Sequence, residues 1–509
     1  MTEPELWAQP GAEATKMGPR VARGLTWTVI DVWGRQLLNL VVFVVLARLL
    51  SPADFGLVAL AGVFVAFAQL VVDQGFGDAL IQRRDLERRH VDTAFWVALA
   101  TGAVLTLVAL VIAAPLATLL GQPAFAPILQ VLSLTFVLAA FSSVQIALLR
   151  RELAFRSLAV RAIAATGAGG AVGIAAALAG AGAWALVAQQ VTVAIVSAIT
   201  LWRVSSWRPR FRFSRATFRE LLGFGSKIVG SDVLTFASRN ADNLLIGVFL
   251  GPVALGIYSV GYRILTVSQT ILVNVARRIA FPAFSRLQAD QPRMLQAFLR
   301  VTRTASAVIL PGYVWLAITA PELTVLIFGS QWAESGQVAA ILFLVGPVVA
   351  VQSFSDSILN AAGHPGVVLR FRFITAVTSL IGFVIAVPFG IIAVAASYVA
   401  RAYLLMPIMI GWLHRYAGVQ PLTYLAQFRG SAIATVLMVV AVLGVKLLLD
   451  DASNAVLLAV EAVVGAATYA IALRLAQPGL FAELRELAGQ ATPRRQRPAR
   501  AGGPSDGPE

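Results

Sequence analysis

Residues 50–73 read LSPADFGLVALAGVFVAFAQLVVD. From Phe55 to Val72 only Gln69 carries a hydrogen-bonding side chain, so the run has no polar face to turn toward water. A helix on the surface of a soluble protein keeps such a face; an apolar run of about 20 residues instead matches the hydrocarbon thickness of a bilayer. The opening residues Leu50-Ser51-Pro52-Ala53-Asp54-Phe55-Gly56 return 200 positions later as Leu250-Gly251-Pro252-Val253-Ala254-Leu255-Gly256, and Gln69 falls on Gln269.

Working outward from this run, comparable apolar stretches lie at 25–47, 55–77, 92–114, 126–149, 159–179, 182–202, 223–249, 253–276, 304–328, 336–359, 368–388, 391–413, 427–449 and 453–473. Composition agrees: 58% of the 509 residues are hydrophobic, 13% are charged, and the mean hydropathy is +0.80. A single soluble core cannot absorb that much apolar surface. The sequence therefore predicts an all-α polytopic membrane protein with about 14 transmembrane helices.

The distribution of cations tests that count. With alternate connections assigned to the cytoplasm, 34 of the 40 Lys and Arg residues fall there, in the arm before residue 24, the loops and the tail. Only Arg48 and Lys446 fall on the opposite side, and Arg35, Arg239, Arg263 and Arg401 lie inside spans. Cytoplasmic loops of membrane proteins carry this excess. The net charge of +15 thus follows from topology and calls for no nucleic acid. The chain should sit in the cell inner membrane with both termini in the cytoplasm.

A repeat offset that carries spans 1–2 onto spans 7–8 moves the chain by six helices. Six is even, so both halves keep one orientation and their symmetry axis lies along the membrane normal. The expected plan has a cytoplasmic arm 1–24, a first lobe 25–202, a basic linker 203–222 and a second lobe 223–415. Extra helices 427–473 and a disordered tail 475–509 complete it. The expectation is thus two pseudo-symmetric six-helix lobes plus two extra helices.

Ionisable groups inside spans are costly and mark function by default. Thr28, Asp31, Arg35 and Asn39 in span 1 share one helical face, as do Asp232, Thr235, Arg239 and Asp242 in span 7. Span 8 adds Ser259, Arg263, Thr266, Thr270 and Asn274, span 2 adds Gln69 and Asp73, and span 12 adds Arg401. One reading pairs Asp31 with Arg35 and Arg239 with Asp242 as structural ion pairs. The other lines a cavity with Arg35, Arg239, Arg263, Arg401, Asn39, Gln69 and Gln269 as substrate-binding groups, with Asp31, Asp73, Asp232 and Asp242 orienting the arginines or coupling an ion. Arginine forks suit phosphate and carboxylate, so the second reading implies an anionic ligand.

Other features point away from catalysis. There are no cysteines, the three histidines (His90, His364, His414) are scattered, and no phosphate-binding loop of the Walker type is present. No metal or cofactor is called for, and the coupling ion, Na+ or H+, is open. Gly169 and Gly173 have the spacing of close helix packing. Pro311, Pro347 and Pro407 are expected to interrupt their helices.

Ala47-Arg48-Leu49-Leu50-Ser51-Pro52-Ala53-Asp54-Phe55-Gly56, Gly75-Phe76-Gly77-Asp78-Ala79-Leu80-Ile81-Gln82, Phe281-Pro282-Ala283-Phe284-Ser285-Arg286-Leu287 and Phe328-Gly329 with Trp332 resemble polysaccharide-repeat-unit (Wzx-type) flippases. These belong to the multidrug/oligosaccharidyl-lipid/polysaccharide exporter superfamily, and the resemblance covers roughly residues 20–415. It implies translocation of undecaprenyl-pyrophosphate-linked oligosaccharide from the inner to the outer leaflet, for exopolysaccharide or lipopolysaccharide synthesis. The related lipid II flippases carry cavity arginines that Arg35 and Arg263 approximately match, whereas Arg239 and Arg401 rest on the residue pattern alone. Membrane lipids, a polysaccharide polymerase and a co-polymerase are the partners so implied. A multidrug or cation antiporter on the same fold, and a membrane glycosyltransferase or polysaccharide polymerase or ligase, are the alternatives. The antiporter needs acidic cavity groups, and the enzymes need larger outer loops than this chain has.

Overall fold

The computed structural model describes residues 17–73, 77, 80–81, 83, 85–272, 290–449 and 452–480. Among them all regular structure is helical. The main helices are α1 (Met17–Leu49), α2 (Pro52–Asp73), α3 (Arg88–Leu119), α4 (Phe125–Arg151), α5 (Phe155–Leu178), α6 (Ala183–Val204), α7 (Arg215–Phe249) and α8 (Gly251–Leu272). They continue as α9 (Gln291–Phe328), α10a (Ala333–Phe343), α10b (Gly346–Ala361), α11 (Pro365–Ala386), α12 (Ile391–Ala417), α13 (Arg429–Leu448) and α14 (Asn454–Ala476). Ten helices among the described residues are long and apolar enough to cross a membrane, and the bent pair α10a–α10b makes an eleventh. Helices α1, α7 and α8 are not among them; these carry Arg35, Arg239 and Arg263.

Several expected boundaries move. Helix α1 is formed from Met17 rather than 25, and residues 1–16 lie outside the described part. Helix α7 begins at Arg215, inside the expected linker, because Ser214 caps it by accepting a hydrogen bond from the Thr217 amide at 3.3 Å. Helix α9 starts at Gln291, capped in the same way by Asp290. The tail is described only to residue 480. Pro311 and Pro407 sit inside continuous helices, contrary to expectation. Pro347 alone stands at a break: α10a and α10b meet at 43°, and a side chain on Gly346 would overlap the Tyr313 ring.

The remaining linker, 205–214, is pinned to the start of α3. Asp92 Oδ1 accepts from the Arg210 amide at 3.3 Å, and Thr93 Oγ1 accepts from the Ser214 amide at 3.2 Å. The Trp96 indole donates to the Arg210 carbonyl at 2.9 Å.

Packing partners recur six helices apart. Helix α1 packs on α5 as α7 packs on α11, and α2 on α4 as α8 on α10a. Pairs α3–α4, α4–α6 and α5–α6 are matched by α9–α10, α10–α12 and α11–α12. Gly169 and Gly173 of α5 fit against Gln189 of α6, and Gly170 fits against Val42 of α1, so this stripe serves close packing.

The halves meet most closely where α2 and α8 begin. A Cβ on Gly56 would overlap the Pro252 carbonyl, and one on Gly256 would overlap the Pro52 carbonyl. The repeated heptapeptides thus touch each other reciprocally, as equivalent positions do across a two-fold axis. Helices α13 and α14 pack on each other and on α9.

Candidate functional site

On α1, Arg35, Asn39 and Phe43 follow at intervals of four residues, which stacks them on one face about 6 Å apart along the axis. Arg35 is exposed and Asn39 half-buried. From α8 the Arg263 guanidinium lies over the Phe43 ring, 5.9 Å from its centroid. The α8 stripe therefore meets the α1 stripe at Phe43, with Arg263 at one end and Arg35 two turns away. The hydroxyls beside Arg263 are committed to their own helix: Thr266 donates to the Arg263 carbonyl at 2.8 Å and Thr270 to the Thr266 carbonyl at 3.0 Å. Among the described residues no hydrogen bond or ion pair engages the Arg35, Arg239 or Arg263 side chain. These three are exposed, as is Gln69, whereas Gln269 is half-buried.

Beyond Phe43, toward the C-terminal end of α1, the chain closes. Phe43 meets Phe55 edge-on at 5.8 Å and Phe328 at 5.5 Å, and Phe55 meets Trp332 at 5.2 Å. Hydrogen bonds tie this plug across the halves. The buried Trp332 indole donates to the Ala47 carbonyl at 2.7 Å, and Gln331 donates to Ala47 at 2.8 Å and to Leu50 at 3.2 Å. In return Arg48 donates to the Ile327 carbonyl at 2.7 Å and to Leu326 at 2.5 Å. The last carbonyls of a helix lack intrahelical partners and form its negative end. Here α1 and α9 each cap the other, and Arg48, one of two cations outside the basic majority, is spent on that cap.

The other expected residues lie elsewhere. Asp242 is 2% exposed and accepts from the Tyr258 hydroxyl at 2.8 Å and the Asn243 amide at 2.8 Å. No ion pair joins it to Arg239 among the described residues, so the pairing offered by one reading does not form; Tyr258, two turns into α8, is its donor. Tyr258 stacks on Tyr262, which meets Tyr398 edge-on, and Arg401 stands over Tyr398 at 4.9 Å while donating to the Thr375 carbonyl at 3.4 Å. Arg401 thus belongs to the α11–α12 packing at the far side of three tyrosines from Asp242. The side chains of Asp31, Asp73, Asp232 and Thr235, and all of Asn274, lie outside what the structure describes.

Sequence reasoning missed the tyrosine row and the capping role of Gln331. The four-residue spacing of Tyr258 and Tyr262 and the position of Phe43 one turn past Asn39 were the available signals.

Residues 45–337 match the model of a family described as polysaccharide biosynthesis protein. The chain belongs to this family. Over 359 residues it is 31% identical to the succinoglycan biosynthesis transport protein ExoT of Rhizobium meliloti (strain 1021), covering 70% of this chain and 73% of that one. It is 25% identical over 404 residues to the lipopolysaccharide biosynthesis protein WzxC of Escherichia coli (strain K12), covering 78% and 80%. The resemblance to Wzx-type flippases is borne out. The solved structure of a lipid II flippase, MurJ, in an inward closed conformation aligns with a TM-score of 0.71 at 12% identity, over 90% of this chain and 100% of that one. An inward-facing multidrug resistance transporter of the MATE family aligns with a TM-score of 0.60 at 15% identity, over 78% and 98%. Both likenesses establish the fold alone. The family member is a multi-pass membrane protein of polysaccharide biosynthesis.

Proposed function

We propose that this chain turns an undecaprenyl-pyrophosphate-linked oligosaccharide repeat unit from the inner to the outer leaflet of the cytoplasmic membrane by alternating access. In this reading it crosses the membrane fourteen times as two six-helix lobes plus two helices, with the basic end in the cytoplasm. The observation that carries the reading is Arg263: an exposed guanidinium over Phe43, free of any counter-ion among the described residues, beside the closed aromatic plug and in line with Arg35, which this reading puts at membrane depth. An unpaired charge at such depth is expensive unless a ligand supplies its partner. A pyrophosphate or acidic sugar entering from the basic end would meet Arg35 first and Arg263 at the plug. Separation of Phe43, Phe55, Phe328 and Trp332 would then release it outward. A cationic drug would need an accessible acid, and Asp242, the one of the four expected acids whose side chain is described, is buried against Tyr258.

Reconstitution into vesicles that hold an undecaprenyl-pyrophosphate-linked oligosaccharide tests the proposal. The protein should make glycan of the far leaflet accessible to an external sugar-modifying enzyme; accessibility equal to that of protein-free vesicles would sink it. Orientation is checked separately, since the chain has no cysteine to give background. Phe211→Cys and Leu448→Cys lie at sites 91% and 85% exposed. An impermeant maleimide should label the second in intact cells with a permeabilised outer membrane, and the first only after lysis.

A further inference from the structure

The seam between α9, α13 and α14 holds a charge cluster that the flippase reading does not use. Lys446 of α13 pairs with Glu322 of α9 at 2.7 Å and also donates to the Ile318 carbonyl at 3.4 Å. Glu461 of α14 lies within electrostatic reach of both Lys446 and Glu322. It is 0% exposed, and among the described residues neither of its oxygens has a hydrogen-bond partner. One turn further along α14, a side chain on Gly465 would touch Val442 and Met438 of α13 and Trp315 of α9, which places Glu461 in the three-helix seam. The Trp315 indole nitrogen there has no partner among the described residues either. From α9 the cluster faces Glu322 and from α13 Lys446; α14 has no other ionisable side chain between residues 454 and 468.

Two carboxylates and one ammonium leave one negative charge unbalanced. An ionised carboxylate buried with no donor costs several kcal/mol, and a proton removes that cost. We propose that Glu461, Lys446 and Glu322 form a proton-binding site, in which Glu461 carries the proton while Lys446 holds Glu322. When the Glu461 O–H bond breaks, the proton leaves to water, and the ammonium, keeping its own three protons, turns from Glu322 to Glu461. Sodium fits poorly, because the Lys446 ammonium paired with Glu322 already supplies the one cation near Glu461 and repels a second. Leu326 and Ile327, which anchor Arg48, follow Glu322 by one turn of the same helix. Proton release would therefore loosen the segment that fastens the aromatic plug. The site stands on its own; its use in coupling rests on the transport reading.

Infrared titration of the purified full-length protein tests the site. The wild type should show a protonated-carboxyl band at neutral pH that is lost on going alkaline; Glu461→Gln should lack that band, and Glu322→Gln should weaken it, because Lys446 is then free to turn to Glu461. Thermal stability should fall as pH rises, because the unfolded chain releases this proton freely and the folded one does not. In Glu461→Gln that part of the fall should vanish. A band that persists in Glu461→Gln, or an unchanged pH dependence, overturns the proposal, and so does stabilisation by sodium over potassium at fixed pH. For coupling, Glu461→Gln should flip glycan in vesicles without acceleration by a proton gradient. Acceleration equal to wild type rejects the coupling role. Absence of flipping in the wild type instead rejects the flippase reading and leaves the infrared result standing.

Discussion

Arg263→Ala should slow glycan export sharply while the protein remains folded and inserted, and Arg35→Ala should do nearly the same. Each guanidinium can offer a pyrophosphate a forked, charge-assisted pair of hydrogen bonds. Hydrogen bonds to charged groups contribute about 1.5–3 kcal/mol each, so losing one arginine should slow export by roughly ten- to a hundredfold. Losing both should leave none measurable. Lysine at either position keeps charge but not the fork and should retain partial export. Two structural roles compete with this. If Arg263 served only its contact with Phe43, Phe43→Leu would be as damaging as Arg263→Ala; it should instead be the milder change. If Arg35 served only to neutralise Asp31, Asp31→Ala would rescue Arg35→Ala, since removing both members of a structural pair is tolerated better than removing one. Export measured at equal protein level, with a melting curve for each variant, decides both. Rescue by Asp31→Ala would return Arg35 to packing.

Gly256→Val should disrupt the contact between the halves, and Gly56→Val should match it. Each glycine leaves room for the carbonyl of the proline that opens the opposite helix, and backbone cannot move aside as a flexible side chain can. Overpacking typically costs about 1–3 kcal/mol, and here the whole α2–α8 crossing must open, so the upper end or beyond is expected. Because one separation relieves both clashes, the double variant should be little worse than either single variant. Additive losses would show that the two contacts are independent. Trp332→Phe is the gentle counterpart: it removes the indole bond to Ala47 and keeps the ring. About 1 kcal/mol lost from the closed state should raise outward opening roughly fivefold. Faster maleimide labelling of Asn39→Cys from outside would report it, and an unchanged rate would show that the Trp332 bond does not hold the plug.

The sequence by itself determined the helical membrane architecture, and it carried the expectations of a basic end and a six-helix repeat. These are legible because hydropathy over a helix length and the count of cations in a loop are local sums that need no partner. It also placed Arg35, Asn39 and Arg263 on stripes, since helical spacing alone sets a shared face. Tertiary structure decided what those stripes meet. Asp242 lies three residues from Arg239 on a common face, yet its hydrogen bond goes to Tyr258, 16 residues on. Arg48 looked like a stray outer cation and proves to be the cap of a helix 279 residues away. Lys446, the other stray, closes a pair with Glu322 in the same way. Partner choice of this kind follows from which backbone carbonyls and carboxylates are brought within about 3 Å by packing, as α7 on α8 and α9 on α13 bring these.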